Sequence, residues 1–110
     1  MVLNSIDTPK GKLGITPLSE SISVSVIIPF YNRIDLLTTA LLSAKSQTHH
    51  NLEIILINDG STEPIDTLIE LIKTDQRISS YQQKNSGPAA ARNLGISKAT
   101  GKYIAFLVTS

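Results

Sequence analysis

The run from Val24 to Ile28, Val-Ser-Val-Ile-Ile, followed at once by Pro29, constrains the fold more than any other stretch of this chain. Val24, Val26, Ile27 and Ile28 are apolar and β-branched with almost no polar alternation, which suits a strand covered on both faces, as in parallel sheets. Proline lacks a backbone N–H and fixes φ, so pairing is expected to stop at Pro29. In open α/β sheets the ligand crevice lies outside the carboxyl ends of the strands. Phe30, Tyr31, Asn32 and Arg33 therefore fall where a ligand is expected.

Strand and helix signals alternate from there. Asn32 reads as the N-cap of a helix running to about Ser46, with Asp35 at the capping-box position and Leu36, Leu37, Ala40, Leu41 and Ala44 on one core-facing side. Gln47 to Asn51 reads as a polar turn. His49 and His50 lie in it, but adjacent side chains diverge and no third ligand is near, so solvated histidines are expected rather than a metal site. Leu52 to Ile57 supplies a second buried strand, which exits into Asn58-Asp59-Gly60-Ser61-Thr62 at the same sheet edge. Asp59 has an ordinary turn-forming explanation, yet its place at a strand's carboxyl end also makes it a candidate ligand.

Glu63 and Pro64 read as opening a second helix, with Ile65, Leu68, Ile69 and Ile72 at helical spacing. Ile78 to Gln83 is more polar, as an edge strand would be. Asn85-Ser86-Gly87-Pro88 leads into a third helix in which Ala91, Gly95 and Ala99 recur every fourth residue, small side chains that let a helix lie close to a sheet. Arg92, near the start of that helix, could meet an anionic ligand. Gly101 reads as the helix stop, and Lys102 to Val108 as a last strand whose outer edge would be apolar and uncovered, a possible route to oligomers. The fold class is α/β, an open and mainly parallel sheet with helices on both faces.

A chain of 110 residues is enough for one core, and a formal charge of +1 gives no electrostatic case for nucleic acid. The absence of cysteine excludes disulfides and thiolate metal sites. Residues 1–22 are polar and punctuated by Pro9, Gly11, Gly14 and Pro17, and are expected to form a flexible arm ahead of a domain at 23–110. They hold no continuous apolar segment of the kind that a secretory signal or a spanning helix needs.

Four motifs then coincide: Val-Ile-Ile-Pro-Phe-Tyr-Asn at 26–32, Asn-Asp-Gly-Ser-Thr at 58–62, Asn-Ser-Gly-Pro-Ala-Ala-Ala-Arg-Asn-Leu-Gly at 85–95 and Gly-Lys-Tyr-Ile-Ala-Phe-Leu at 101–107. Together they resemble the family 2 inverting glycosyltransferases over Ser23 to Leu107. The resemblance implies the Rossmann-like, nucleotide-binding half of a GT-A domain, incomplete at its C-terminus. It also implies transfer of a sugar from a nucleoside-diphosphate sugar, UDP-linked, to an acceptor hydroxyl with inversion. By the same resemblance Tyr31 stacks on the base, Asp59 hydrogen-bonds to it and Arg92 lies close to the nucleotide, while Pro29, Asn32 and Gly60 complete the nucleotide-binding set. An aromatic face beside a carboxylate acceptor suits a pyrimidine with a ring N–H, such as uracil.

The chain departs from the family after Leu107. Members carry an Asp-x-Asp type motif there, holding the magnesium or manganese ion that bridges the diphosphate. Here Val108, Thr109 and Ser110 offer no carboxylate to a hard cation. The family's general base and acceptor site also come from later in the domain, so no catalytic residue is assigned within these residues and no turnover is expected of them alone. The competing reading is a non-catalytic nucleotide-binding or assembly module. A phosphoreceiver domain with Asp59 as acceptor would need an acidic pair after the first strand, and a dinucleotide fold would need Gly-x-Gly-x-x-Gly; neither is present. Polysaccharide and glycolipid products in the family imply a cytoplasmic protein peripheral to the inner face of a membrane.

Overall fold

The computed structural model describes residues 5–7, 23–46 and 51–107. The elements run β1 (Ser5–Asp7), β2 (Val24–Phe30), α1 (Ile34–Lys45), β3 (Leu52–Asn58), α2 (Asp66–Lys73), β4 (Ile78–Gln82), α3 (Pro88–Lys98) and β5 (Tyr103–Phe106). They build one sheet in the order β1-β5-β2-β3-β4, parallel throughout except that β1 joins β5 antiparallel. The His49–His50 pair, most of the expected turn at 47–51 and Val108 to Ser110 lie outside the described residues.

Side chains alternate across β2. Val24, Val26, Ile28 and Phe30 join Leu37, Ala40 and Leu41 of α1 and Leu68 of α2 in one core layer. Ile27 joins Ile55, Ile57 and Ala91 in the other, under α3. The uninterrupted apolar runs are thus explained by burial on both faces. Leucines stand between α1 and the sheet, whereas α3 lies closer: a Cβ added at Gly95 would sit 2.4 Å from Ile27 Cγ2. Close approach, not flexibility, is what that glycine provides.

The chain order explains where a crevice opens. It moves outward from β2 to β3 to β4, then crosses back through α3 to place β5 on the other side of β2. The strand order therefore reverses between β2 and β5, the kind of switch point at which open α/β sheets bind ligands.

Five expectations need correction. Pro29 does not end β2, for it pairs in register with Ile57 and Phe30 pairs with Asn58. Ile27 accepts from Leu107 N–H on the β5 side, and Phe30 accepts from Asp59 N–H on the β3 side. In a parallel strand such alternation turns Pro29's missing donor toward β5, whose register with β2 ends at Ile27, so the ladder to β3 loses nothing. Second, Asn32 does not cap α1; Arg33 holds the N-cap position, with φ 54°, and no side-chain cap bond from its own residue. Third, α2 begins at Asp66, two residues beyond Pro64.

Fourth, Gly101 is not the α3 stop, since that helix ends at Lys98. Gly101 is needed instead because a Cβ there would meet Ser25 Oγ at 2.6 Å and Ser25 N at 2.7 Å. Fifth, the β5 edge is not bare, and the stretch expected to be a flexible arm is not wholly separate from the sheet. Ser5, Ile6 and Asp7 stand opposite Phe106, Ala105 and Ile104.

Candidate functional site

Three loops meet at the carboxyl edge: 31–33 after β2, 59–65 after β3 and 83–87 after β4. Asp59 joins all three. Its N–H donates to the Phe30 carbonyl at 2.8 Å. Its Oδ1 accepts from Gln83 Nε2 at 2.9 Å and from Ser86 N–H at 2.7 Å, and its Oδ2 accepts from Gly87 N–H at 3.0 Å. Asn85 Nδ2 donates to the Asp59 carbonyl at 2.9 Å.

The side chain is only 5% exposed. Burial pushes the carboxyl pKa up, but the bonds from Gln83, Ser86 and Gly87 outweigh it and hold the group below the ordinary aspartate range. Asp59 is therefore an ionised, buried acceptor. A carboxylate has about four acceptor positions, and these bonds use three. Gly60 is forced by the same convergence: its φ is +78°, and an added Cβ would stand 2.7 Å from Asn85 N.

The first two loops are tied as closely. Asn32 Oδ1 accepts from Thr62 N–H at 2.8 Å and Glu63 N–H at 2.9 Å, and Asn32 N–H donates to Ser61 Oγ at 2.7 Å. Ser61 is fixed in turn by its N–H bond to Asn58 Oδ1 at 2.8 Å. The Glu63 carboxylate takes over the capping role, accepting from Arg33 N–H at 3.3 Å and Ile34 N–H at 3.5 Å.

Tyr31 hangs between these fixed points and is 48% exposed. Its side chain makes no hydrogen bond among the described residues, and neither does Arg92, exposed one turn into α3. Pro29 is half-buried within β2. The expected set thus divides. Tyr31 and Arg92 are presented outward, Asp59 lies beneath the edge, Asn32 and Gly60 frame the loops, and Pro29 belongs to the strand. The sequence reading missed Gln83, Ser86 and Glu63. Only Glu63 carried a usable signal, an acidic residue beside a turn. Ser86 acts through its backbone, which side-chain chemistry does not announce.

The family model described as glycosyl transferase family 2 matches residues 25–107. The chain belongs to that family. An uncharacterized glycosyltransferase of Rickettsia bellii is 60% identical over 84 residues, covering 76% of this chain and 12% of the relative. One from Haemophilus influenzae is 44% identical over 86 residues, covering 76% of this chain and 34% of the relative. The chain thus spans about an eighth to a third of the length of these curated relatives.

Among solved structures, S. aureus TarS 1-349 in complex with UDP-GlcNAc superposes with a TM-score of 0.72 at 27% identity, over 80% of this chain and 26% of that one. A mannosyltransferase of Pyrobaculum calidifontis, in complex with GDP-Man and Mn2+, superposes at 0.73 over 89% of this chain and 31% of that one. At 21% identity it shows the shared fold. The GT-A arrangement expected from the motifs is the arrangement found.

Divalent metal occurs in the fold: the Pyrobaculum calidifontis mannosyltransferase holds Mn2+. No group of three or more His, Cys, Asp or Glu side chains that could hold a metal ion occurs among the described residues. No described helix is long and apolar enough to cross a membrane.

Proposed function

We infer that these residues form the donor-nucleotide edge of a family 2 glycosyltransferase, one that takes its sugar from a UDP-linked donor and transfers it to an acceptor hydroxyl with inversion. One observation carries the reading: a tyrosine ring, exposed and without a hydrogen bond among the described residues, follows directly on Phe30, whose carbonyl is held by the backbone N–H of a buried, ionised aspartate at the carboxyl edge of the sheet. The ring offers a stacking face for a base. The Asp59 carboxylate keeps one acceptor position for the ring N–H of a uracil. Arg92, at the start of α3 and lacking an ion pair among the described residues, supplies positive charge for a diphosphate. Pro29, Asn32 and Gly60 shape and hold the edge around the nucleotide. The UDP-GlcNAc bound by TarS supports a uridine donor.

Inverting transfer needs the acceptor oxygen to attack the anomeric carbon on the face opposite the leaving nucleoside diphosphate. These residues contribute binding and orientation of that leaving group. A base to take the hydroxyl proton is not assigned among them. A second reading for the 110 residues taken alone is a module that binds the nucleotide without turning it over. A role in polysaccharide biosynthesis agrees with the name of a relative, "Putative teichuronic acid biosynthesis glycosyltransferase TuaG"; association with a membrane surface through other proteins is part of the same proposal.

Amide chemical-shift mapping with UDP tests the reading. Saturable shifts confined to the neighbourhoods of Tyr31, Asp59 and Arg92 are expected. Their absence, or shifts centred on the opposite sheet edge, would overturn it. Sugar transfer by the isolated chain would overturn the second reading alone.

A further inference from the structure

The turn after Tyr31 is unusual. Asn32 and Arg33 both have φ of 54°, and they are the two non-glycine residues with positive φ among those described. L-residues enter this left-handed region rarely, and two in succession persist only where the surroundings hold them. Asparagine tolerates it through its short side chain, but arginine has no such help.

The holding groups all belong to the next exit loop. Ser61 Oγ and the backbone N–H groups of Thr62 and Glu63 grip Asn32, and the Glu63 carboxylate grips the two amides that follow it. On the other side of Tyr31, the Phe30 carbonyl is fixed by Asp59 N–H. The tyrosine backbone is therefore pinned from both directions while its ring is left outside.

We propose that Asn32 and Glu63 form an inter-loop clamp that presents the Tyr31 ring for stacking, which makes them positioning residues rather than nucleotide contacts. This rests on the nucleotide reading of Tyr31 given above. A preset ring loses less freedom on binding, so the clamp raises affinity without touching the base. A clamp that served only the fold would change stability but would not couple to Tyr31.

The test is a double-mutant cycle by UDP titration on the full chain. Asn32→Ala is expected to weaken UDP about tenfold in the native background and less than about twofold in Tyr31→Ala, with Asn32→Asp restoring most of the loss because its carboxylate accepts the same two backbone bonds. Glu63→Ala serves as the second variant should Asn32→Ala fail to fold. In the free protein, Asn32→Ala is expected to lose amide-exchange protection at Thr62 and Glu63. If UDP binds, Tyr31→Ala weakens it and Asn32→Ala does not, the clamp is refuted and the nucleotide reading stands. Equal losses in both backgrounds also refute it. If UDP does not bind the native chain, both fall.

Discussion

The two edges of the sheet use the same device to different ends. At the amino edge the Glu53 carboxylate accepts from Ser25 Oγ at 2.5 Å, Thr100 N–H at 2.9 Å and Thr100 Oγ1 at 3.0 Å, while Gly101 N–H donates to Ser25 Oγ at 2.8 Å. Asp75 and Arg77 close the turn into β4 with a forked pair, at 2.8 and 3.1 Å. At the carboxyl edge Asp59 likewise gathers donors from a distant loop, but Tyr31 and Arg92 remain outward and unpaired among the described residues. Carboxylates that collect backbone donors build both edges. The two edges differ in that the one proposed to bind the nucleotide also carries exposed Tyr31, which makes no side-chain hydrogen bond among the described residues.

The contrast can be broken in several places. Asp59→Ala has the largest expected effect, because it orphans two backbone N–H groups and an amide at once. A loss of about 2–4 kcal/mol in urea unfolding is expected, together with loss of UDP binding. Gly101→Ala acts on the other edge. Its Cβ would stand 2.7 Å from a backbone nitrogen, which cannot yield as a side-chain tip can. The expected cost is about 1–3 kcal/mol, with nucleotide affinity in the folded fraction unchanged.

The acid limb of stability is the next largest effect. Asp75 is held at about 2 by its hydrogen bonds with Arg77. Glu53 and Asp59 are also lowered, hydrogen bonds overcoming burial in each. A folded pKa below the unfolded value of about 4 means stability that is fully present above pH 4 and lost as pH falls toward 2. Urea midpoints across that window should fall steadily, and Asp75→Asn should flatten the slope. Tyr31→Ala comes last, changing stability by less than about 0.5 kcal/mol, as an exposed substitution should.

The layout of the sheet was legible because its cause is local. Val24 to Ile28 and Leu52 to Ile57 are apolar on both faces, and the Gly95 spacing announces a helix lying close. The candidate site was legible only as a location. Asp59 could be placed at a strand end, but that its lone pairs are filled from residues 83–87 depends on backbone amides that carry no side-chain signature. Pro29 misled because its effect depends on which neighbour its nitrogen faces, and the order of strands is not written in β2 itself. Asn32 misled for a related reason, since the loop that competes for its side chain arrives from 30 residues along the chain.

The most direct measurement is a UDP titration of the native chain beside Tyr31→Ala and Gly101→Ala, with unfolding midpoints taken on the same samples. The native protein should bind, Tyr31→Ala should bind at least about tenfold more weakly with its midpoint unmoved, and Gly101→Ala should lose stability while keeping its affinity. A native chain that shows no saturable binding, or a Tyr31→Ala variant that binds as well as the native chain, would contradict the assignment of the carboxyl edge as the nucleotide site.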